Sequence, residues 1–352
     1  MRADTPQPDP SSNPSRRPTI GIMGAGAIGL YVGGMLAASG AQVAFVARGV
    51  TLASLSRGLT LTRYDGFHTT LKPERYRAGG VELLARCDII LFCTKSGDTE
   101  TAAAELAGVI GPTATVISLQ NGVGNVDVLK ACLSGHQIIA GSVPFNVVRL
   151  SPNAVHCAME GTVLLGSSAA TELLVAIARG GRLKMAARAD IEAVQWGKLL
   201  LNLNNGLNIL SGVPLFQQFR DPGYRQVLAM AMGELLAALD AAGIKPVGAT
   251  RTNPRLIPRV LRLPTPVFQV VARQQLKMDD TARSSSWDDL MAGKSAETRF
   301  LNGAVCRLAE SHGRTAPVNA LICDLVDAAF AAGTSPELPG SVLLAKARRV
   351  SG

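Results

Sequence analysis

From residue 18 to residue 47 the chain carries no charged side chain. The run is not uniform. Thr19–Met23 is apolar and reads as a short strand, and Gly24-Ala25-Gly26-Ala27-Ile28-Gly29 follows it. Small and apolar residues then predict a helix to about Ser39, with Gly40 as its C-cap and 42–47 as a second strand. A β-α-β unit inside a parallel sheet needs near-continuous apolar strands, which accounts for the missing charges. With Arg16 and Arg17 ahead of it, the run also fits a twin-arginine signal or a membrane helix. The uneven glycines, and the strand-like stretch after Gly40, favour the folded unit.

Strand-like runs recur at 88–94, 114–119 and 138–143, separated by helical stretches at 98–110 and 124–132. This alternation predicts an α/β fold, with an N-terminal Rossmann-type dinucleotide-binding domain. Short strands at 154–159 and 161–166 and a helix at 170–179 finish that domain. From about Ile191 the pattern is helical only, with candidates at 191–210, 222–242, 264–277, 296–312 and 317–332 joined by Pro-containing loops. The expected division is a disordered extension at 1–17, an NADP-binding domain at 18–189, an all-helical C-terminal substrate and catalytic domain at 190–335 and a mobile tail at 336–352.

Composition narrows this picture. A chain of 352 residues has room for two cores. At 47% hydrophobic and 17% charged it is not mainly disordered. The net charge of +9 invites an anionic partner, but 4% aromatics offers bases few stacking platforms, and no nucleic acid or membrane partner is expected. Gly293-Lys294-Ser295 lacks the earlier glycine of a P-loop. Six cysteines without a CxxC pair read as reduced, mostly buried thiols of a cytoplasmic protein. Four scattered histidines predict no metal site.

Candidate chemistry begins at Gly24-x-Gly26-x-x-Gly29, which follows a strand and opens a helix. Glycines there let the backbone turn tightly and approach a pyrophosphate at the helix N-terminus, where Ala27 and Ile28 also lie. A glycine-rich packing turn is the alternative. At the end of the second strand stands Arg48, with no carboxylate until Asp65. A guanidinium there suits a 2′-phosphate and favours NADPH over NADH, unless it is a solvated surface arginine.

The second candidate is the segment from Trp196 to Asn208, with no charge between Lys198 and Arg220. On a helix, Lys198, Asn202 and Asn205 fall within about 60° of one another, opposite Leu199, Leu203, Leu207 and Leu210. A helix this apolar is buried, so its polar stripe lines a cleft, where a desolvated lysine has a lowered pKa and can pass a proton near neutrality. The alternative is a solvent-facing stripe.

Taken with Thr94-Lys95, Gln120-Asn121-Gly122, Ser284-Ser285 and Glu297, these motifs resemble the ketopantoate reductase (2-dehydropantoate 2-reductase) family from about residue 19 to residue 330. The resemblance implies an oxidoreductase of pantothenate biosynthesis in which a Rossmann domain carries NADPH and a helical domain closes over a small anionic 2-oxo acid. It implies Lys198 as general acid and Glu297 as the acid that poises it, near a helix start whose dipole keeps it ionised. It implies Asn121 between nicotinamide and substrate, Lys95 near the cofactor ribose and phosphates, and Asn202 and Ser285 on the substrate. The sequence departs from the family at Gly206, eight residues after the lysine, and at Ala282, three before Ser285. Asn205 is the candidate to replace the first of these. Ketopantoate leads as substrate, with a related branched 2-oxo acid or a non-catalytic NADP(H)-binding regulator as alternatives. A homodimer stays open.

Overall fold

The structure is a computed structural model that describes residues 18–248, 253–273 and 279–352. The expected N-terminal extension at 1–17 lies outside the described residues, as does the end of the helix expected at 264–277. Among the described residues twelve strands form two sheets. In chain order they are β1 (Thr19–Met23), β2 (Gln42–Val46), β3 (Leu59–Arg63), β4 (His68–Leu71), β5 (Arg77–Gly79) and β6 (Ile89–Phe92). There follow β7 (Thr115–Ser118), β8 (Gln137–Ser142), β9 (Val147–Ser151), β10 (Ala154–Cys157), β11 (Val163–Gly166) and β12 (Met185–Arg188).

The larger sheet has the order β12-β11-β8-β7-β6-β1-β2-β5. Its six strands from β5 to β8 are all parallel, and β11 joins β8 antiparallel. The chain winds outward from β1 through β2 to β5, then returns to place β6 on the other side of β1. That reversal is the dinucleotide-binding order, and the crevice for a ligand opens at the carboxyl ends of β1 and β6.

The smaller sheet, β4-β3-β10-β9, was not foreseen in the sequence. It explains why the first helix, α1 (Ala27–Ala38), has no polar face. A Cβ on Gly33 would stand 2.6 Å from the Phe45 ring of the large sheet, and one on Gly34 would stand 2.9 Å from Leu59 and Leu61 of the small one. The helix is therefore sandwiched between two sheets, and adjacent glycines allow the close approach on each side. Among the described residues no helix is long and apolar enough to cross a membrane.

The remaining helices beside the sheets are α2 (Gly49–Leu55), α3 (Thr99–Ala107), α4 (Asn125–Cys132) and α5 (Ala169–Arg179). The helical half begins with α6 (Ile191–Asn202), α7 (Asn204–Ser211), α8 (Leu215–Arg220) and α9 (Pro222–Ala241). It continues with α10 (Ile257–Leu261), α11 (Thr265–Val271), α12 (Ser285–Met291), α13 (Asn302–Ser311), α14 (Pro317–Ala332) and α15 (Gly340–Ser351). The long α9 is its axis, burying Val227, Leu228, Leu235 and Leu239 against α10, α13, α14 and α15. Glu234 on α9 accepts the backbone N–H groups of Val318 and Asn319 at 2.8 and 3.0 Å, so one helix caps the next.

Two expectations are corrected here. The stretch 191–210 is two helices rather than one, parted at Leu203. The tail expected to be mobile from 336 to 352 instead forms α15 on α9, with Leu343 and Ala347 fully buried. Leu343 and Ala347 are four residues apart and share one face, a signal too short to stand out without a partner surface. Ahead of that helix, the N–H of Leu338 donates to the carbonyl of Leu210 at 2.8 Å.

Candidate active site

The strands of the large sheet point their carboxyl ends at α6, α12 and the turn that carries Glu297. Between them lies a cleft of about 520 Å³ lined by Gly24, Gly26, Ala27, Ile28, Lys95, Asn121, Lys198, Asn202, Asn205, Ser285 and Glu297, among others. Eleven of the thirteen candidate residues thus meet in one place. Gly29 lies beneath the glycine turn, and Arg48 borders a second cleft that adjoins the first at Gly24, Thr94 and Asp98.

The three glycines of the turn have different reasons to be glycine. Gly24 has φ of 106°, and a Cβ there would meet the Thr94 backbone nitrogen at 2.8 Å. Gly29 faces its own loop, with the Gly24 carbonyl oxygen only 2.1 Å from a Cβ. Gly26 is open: nothing but the Cys93 carbonyl oxygen, at 4.0 Å, would touch a Cβ. Packing therefore demands the first and third glycines. The middle one leaves backbone exposed at the start of α1, the shape a pyrophosphate needs. The residues present fit a dinucleotide.

Lys198 enters from α6, a helix pinned to the sheet by Gln195, whose side-chain amide donates to the Gly141 carbonyl at 3.0 Å. Its Nζ donates to Asn121 Oδ1 at 2.8 Å and to the Val143 carbonyl at 2.6 Å. Both acceptors lie just beyond the ends of sheet strands, β7 and β8. Burial lowers the ammonium pKa to about 8, against the opposing pull of the Glu297 carboxylate. Asn121 is itself held: its carbonyl accepts from Ser96 Oγ at 3.1 Å and from the Asn125 amide at 2.9 Å.

On the other side of the cleft, Lys95 Nζ donates to Asp289 at 2.5 Å and lies 3.6 Å from Glu297. Burial works against the Lys95 charge, but Glu297 and Asp289 outweigh it, and the pKa is raised. Glu297 also accepts the backbone N–H of Ser96 at 3.4 Å. A buried carboxylate thus stands between two lysines, one driven toward its charged form and one away from it. The helix expected over 296–312 opens as a three-residue 3-10 turn, Thr298–Phe300, and α13 starts only at Asn302. The contacts that hold the carboxylate are therefore Lys95 and the Ser96 N–H, not a helix dipole. The same turn docks on the sheet half, where the Val123 N–H donates to the Phe300 carbonyl at 3.0 Å.

Asp289 was missed from the sequence. It lies four residues after Ser285 on α12, one helical turn along the same face, a spacing that could have drawn attention to it. Ser284 caps that helix by accepting the Trp287 N–H at 3.2 Å. Its own N–H donates to the buried Asn208 at 2.9 Å, which ties α12 to α7. Gly206 proves not to face the cleft, since a Cβ there would meet Ile322 at 2.7 Å; Asn205 lines it instead. The six cysteines are free thiols, but only Cys87 and Cys157 are buried, fewer than expected. No cluster of potential metal ligands occurs among the described residues.

Comparison with known proteins supplies the family. Residues 20–170 match the ketopantoate reductase PanE/ApbA family and residues 190–330 match that family's C-terminal region. The chain belongs to the ketopantoate reductase family. Membership makes it a nicotinamide-dependent oxidoreductase acting on a small oxo acid. A 2-dehydropantoate 2-reductase of Archaeoglobus fulgidus is 28% identical over 318 residues, spanning 87% of this chain and 96% of the relative. One of Mesorhizobium japonicum is 30% identical over 262 residues, 66% of this chain and 79% of the relative. A PanE/ApbA family ketopantoate reductase from Ralstonia eutropha superposes with a TM-score of 0.78 at 28% identity, covering 90% of this chain and 99% of that one. A D-mandelate dehydrogenase solved with NADH and anilino(oxo)acetate has the same fold at 19% identity, with a TM-score of 0.74 and 90% and 99% coverage.

Proposed function

We propose that this family member reduces 2-dehydropantoate to (R)-pantoate with NADPH. The observation that carries the reading is the placement of Lys198, a half-buried ammonium with its pKa lowered to about 8, in the same cleft as the glycine turn. When bound, the nicotinamide supplies hydride. The chain's own residues do the rest. Reduction of a ketone builds negative charge on its oxygen, and Lys198 Nζ, with one N–H beyond those given to Asn121 and Val143, gives that oxygen its proton. Asn121 and Val143 fix the direction of that donor. Glu297 resists loss of the proton from Lys198 before substrate arrives. In this reading Gly24, Gly26, Ala27, Ile28 and Gly29 cradle the pyrophosphate and Arg48 faces the 2′-phosphate. Lys95 and Asn121 complete the cofactor site, while Asn202, Asn205 and Ser285 hold the substrate. The assigned domains are 18–189 for the cofactor and, because α15 packs on α9, from 190 to the end of that helix for the substrate. Free thiols and the biosynthetic role of its relatives support a cytoplasmic place.

The test is NADPH oxidation by purified protein with 2-dehydropantoate against a panel of other 2-oxo acids ranked by kcat/KM. Turnover with 2-dehydropantoate far above the others supports the reading. If another member of the panel leads, a related branched 2-oxo acid is the substrate and the cofactor chemistry stands. Full activity in Lys198→Ala would overturn the chemistry.

A further inference from the structure

The second cleft, also about 520 Å³, runs from the glycine turn past Met23, Val46 and Ala47 to Arg48. If the dinucleotide lies as proposed above, its adenosine end occupies this slot. The opposite wall is a single face of α3 and its N-cap, where Asp98, Ala102 and Glu105 follow at helical spacing. Arg48 Nη2 donates to the Glu105 carboxylate, bridging the mouth of the cleft. Among the described residues lining it, Arg48 is the sole cation and Asp98 and Glu105 are carboxylates. This is an odd balance for a pocket meant to take a phosphate of charge near −2.

We propose that Glu105 sets the discrimination between phosphorylated and unphosphorylated dinucleotides by competing with the 2′-phosphate for Arg48. The inference rests on the Arg48 reading given above. A 2′-phosphate has to displace the Glu105 carboxylate from the guanidinium and then remain beside it, paying repulsion between like charges. A 2′-hydroxyl has no such conflict: it donates to Glu105 while the ion pair stays made. The chain therefore prefers NADP(H) by less than Arg48 alone dictates. The Arg48 side chain is 74% exposed and that of Glu105 is 32% exposed, so the pair contributes little to folding and is free to exchange partners.

The experiment is titration calorimetry of the intact protein with NADP⁺ and NAD⁺, at fixed ionic strength, for wild type, Glu105→Gln and Arg48→Gln. A like charge a few ångströms away, screened by water, alters affinity by a factor of about five. Glu105→Gln is therefore expected to tighten NADP⁺ and to raise the ratio of the two dissociation constants, NAD⁺ over NADP⁺, about fivefold. An unchanged ratio in Glu105→Gln, with NADP⁺ weakened in Arg48→Gln, overturns the role of Glu105 alone. NADP⁺ affinity unchanged in Arg48→Gln overturns the 2′-phosphate reading and this inference with it. A merely structural role for Glu105 would weaken both nucleotides together and leave the ratio unmoved.

Discussion

The ammonium of Lys198 lies 2.8 Å from the amide oxygen of Asn121. One residue stands on the first helix of the helical half, the other just past a central strand of the sheet, and their hydrogen bond crosses the seam where the ligand cleft opens. The proposed proton donor is thereby aimed by the domain that is proposed to hold the cofactor, so the relative placement of the two halves also sets the direction of that ammonium.

A depressed lysine pKa gives a pH limit with a definite sign. In the proposed chemistry the reduction needs the ammonium, which is lost as pH rises through about 8. The rate of NADPH oxidation at saturating substrate is expected to fall above that value, while the reverse oxidation, which needs the amine, rises. For stability the sign also follows from the lowered value: between about 8 and the ordinary 10.5 the unfolded chain holds the extra proton, so this group adds stability as pH increases. Lys198→Ala is expected to lower kcat by about 10²–10⁴, the usual contribution of a general acid.

Glu297 opposes the effect of burial on Lys198. Glu297→Gln, nearly the same in shape, is expected to shift the alkaline limit of the reduction below about 8, because only desolvation then acts. A pH profile of kcat decides this, and an unmoved limit would show that the carboxylate acts only on Lys95.

The glycines of the turn separate folding from binding. Gly29→Ala forces a Cβ to within 2.1 Å of the Gly24 carbonyl oxygen and is expected to lower the melting temperature markedly. A Cβ at Gly26 meets no atom of a distant segment nearer than the Cys93 carbonyl oxygen at 4.0 Å, so Gly26→Ala should melt like the parent. Its loss should appear instead in dinucleotide affinity, by about tenfold or more, since a methyl group at this point would occupy the path proposed for the pyrophosphate.

The C-terminal helix is part of the core. Leu343 is fully buried between α15 and α9, and Leu343→Ala is expected to destabilise the protein by about 2–5 kcal/mol. Chemical denaturation measures this; turnover per folded molecule should be unchanged, as no part of α15 borders the cleft.

The parts of the fold with a strong local pattern were legible in the sequence. The charge-free β-α-β unit, the later apolar strands and the helical run from Ile191 announce themselves because burial on both faces, or on one stripe, leaves its period in the chain. So do Gly24, Gly26 and Gly29, whose spacing after a strand and before a helix is local, and Lys198, conspicuous as a lone charge on an apolar helix. Contacts between distant segments left no such trace. The small sheet joins β3 to β10 across about a hundred residues, and only its packing on α1, opposite the large sheet, explains why Gly34 stands beside Gly33. Asp289 looks like an ordinary surface acid until α12 is brought against Lys95. Leu343 and Ala347 look like a frayed tail until α9 lies beneath them. The sequence determined which residues could be charged, buried or sharply turned. Only the tertiary structure decided which charges face each other, because the free energy of an ion pair or a packed side chain depends on a partner that the local chain does not contain.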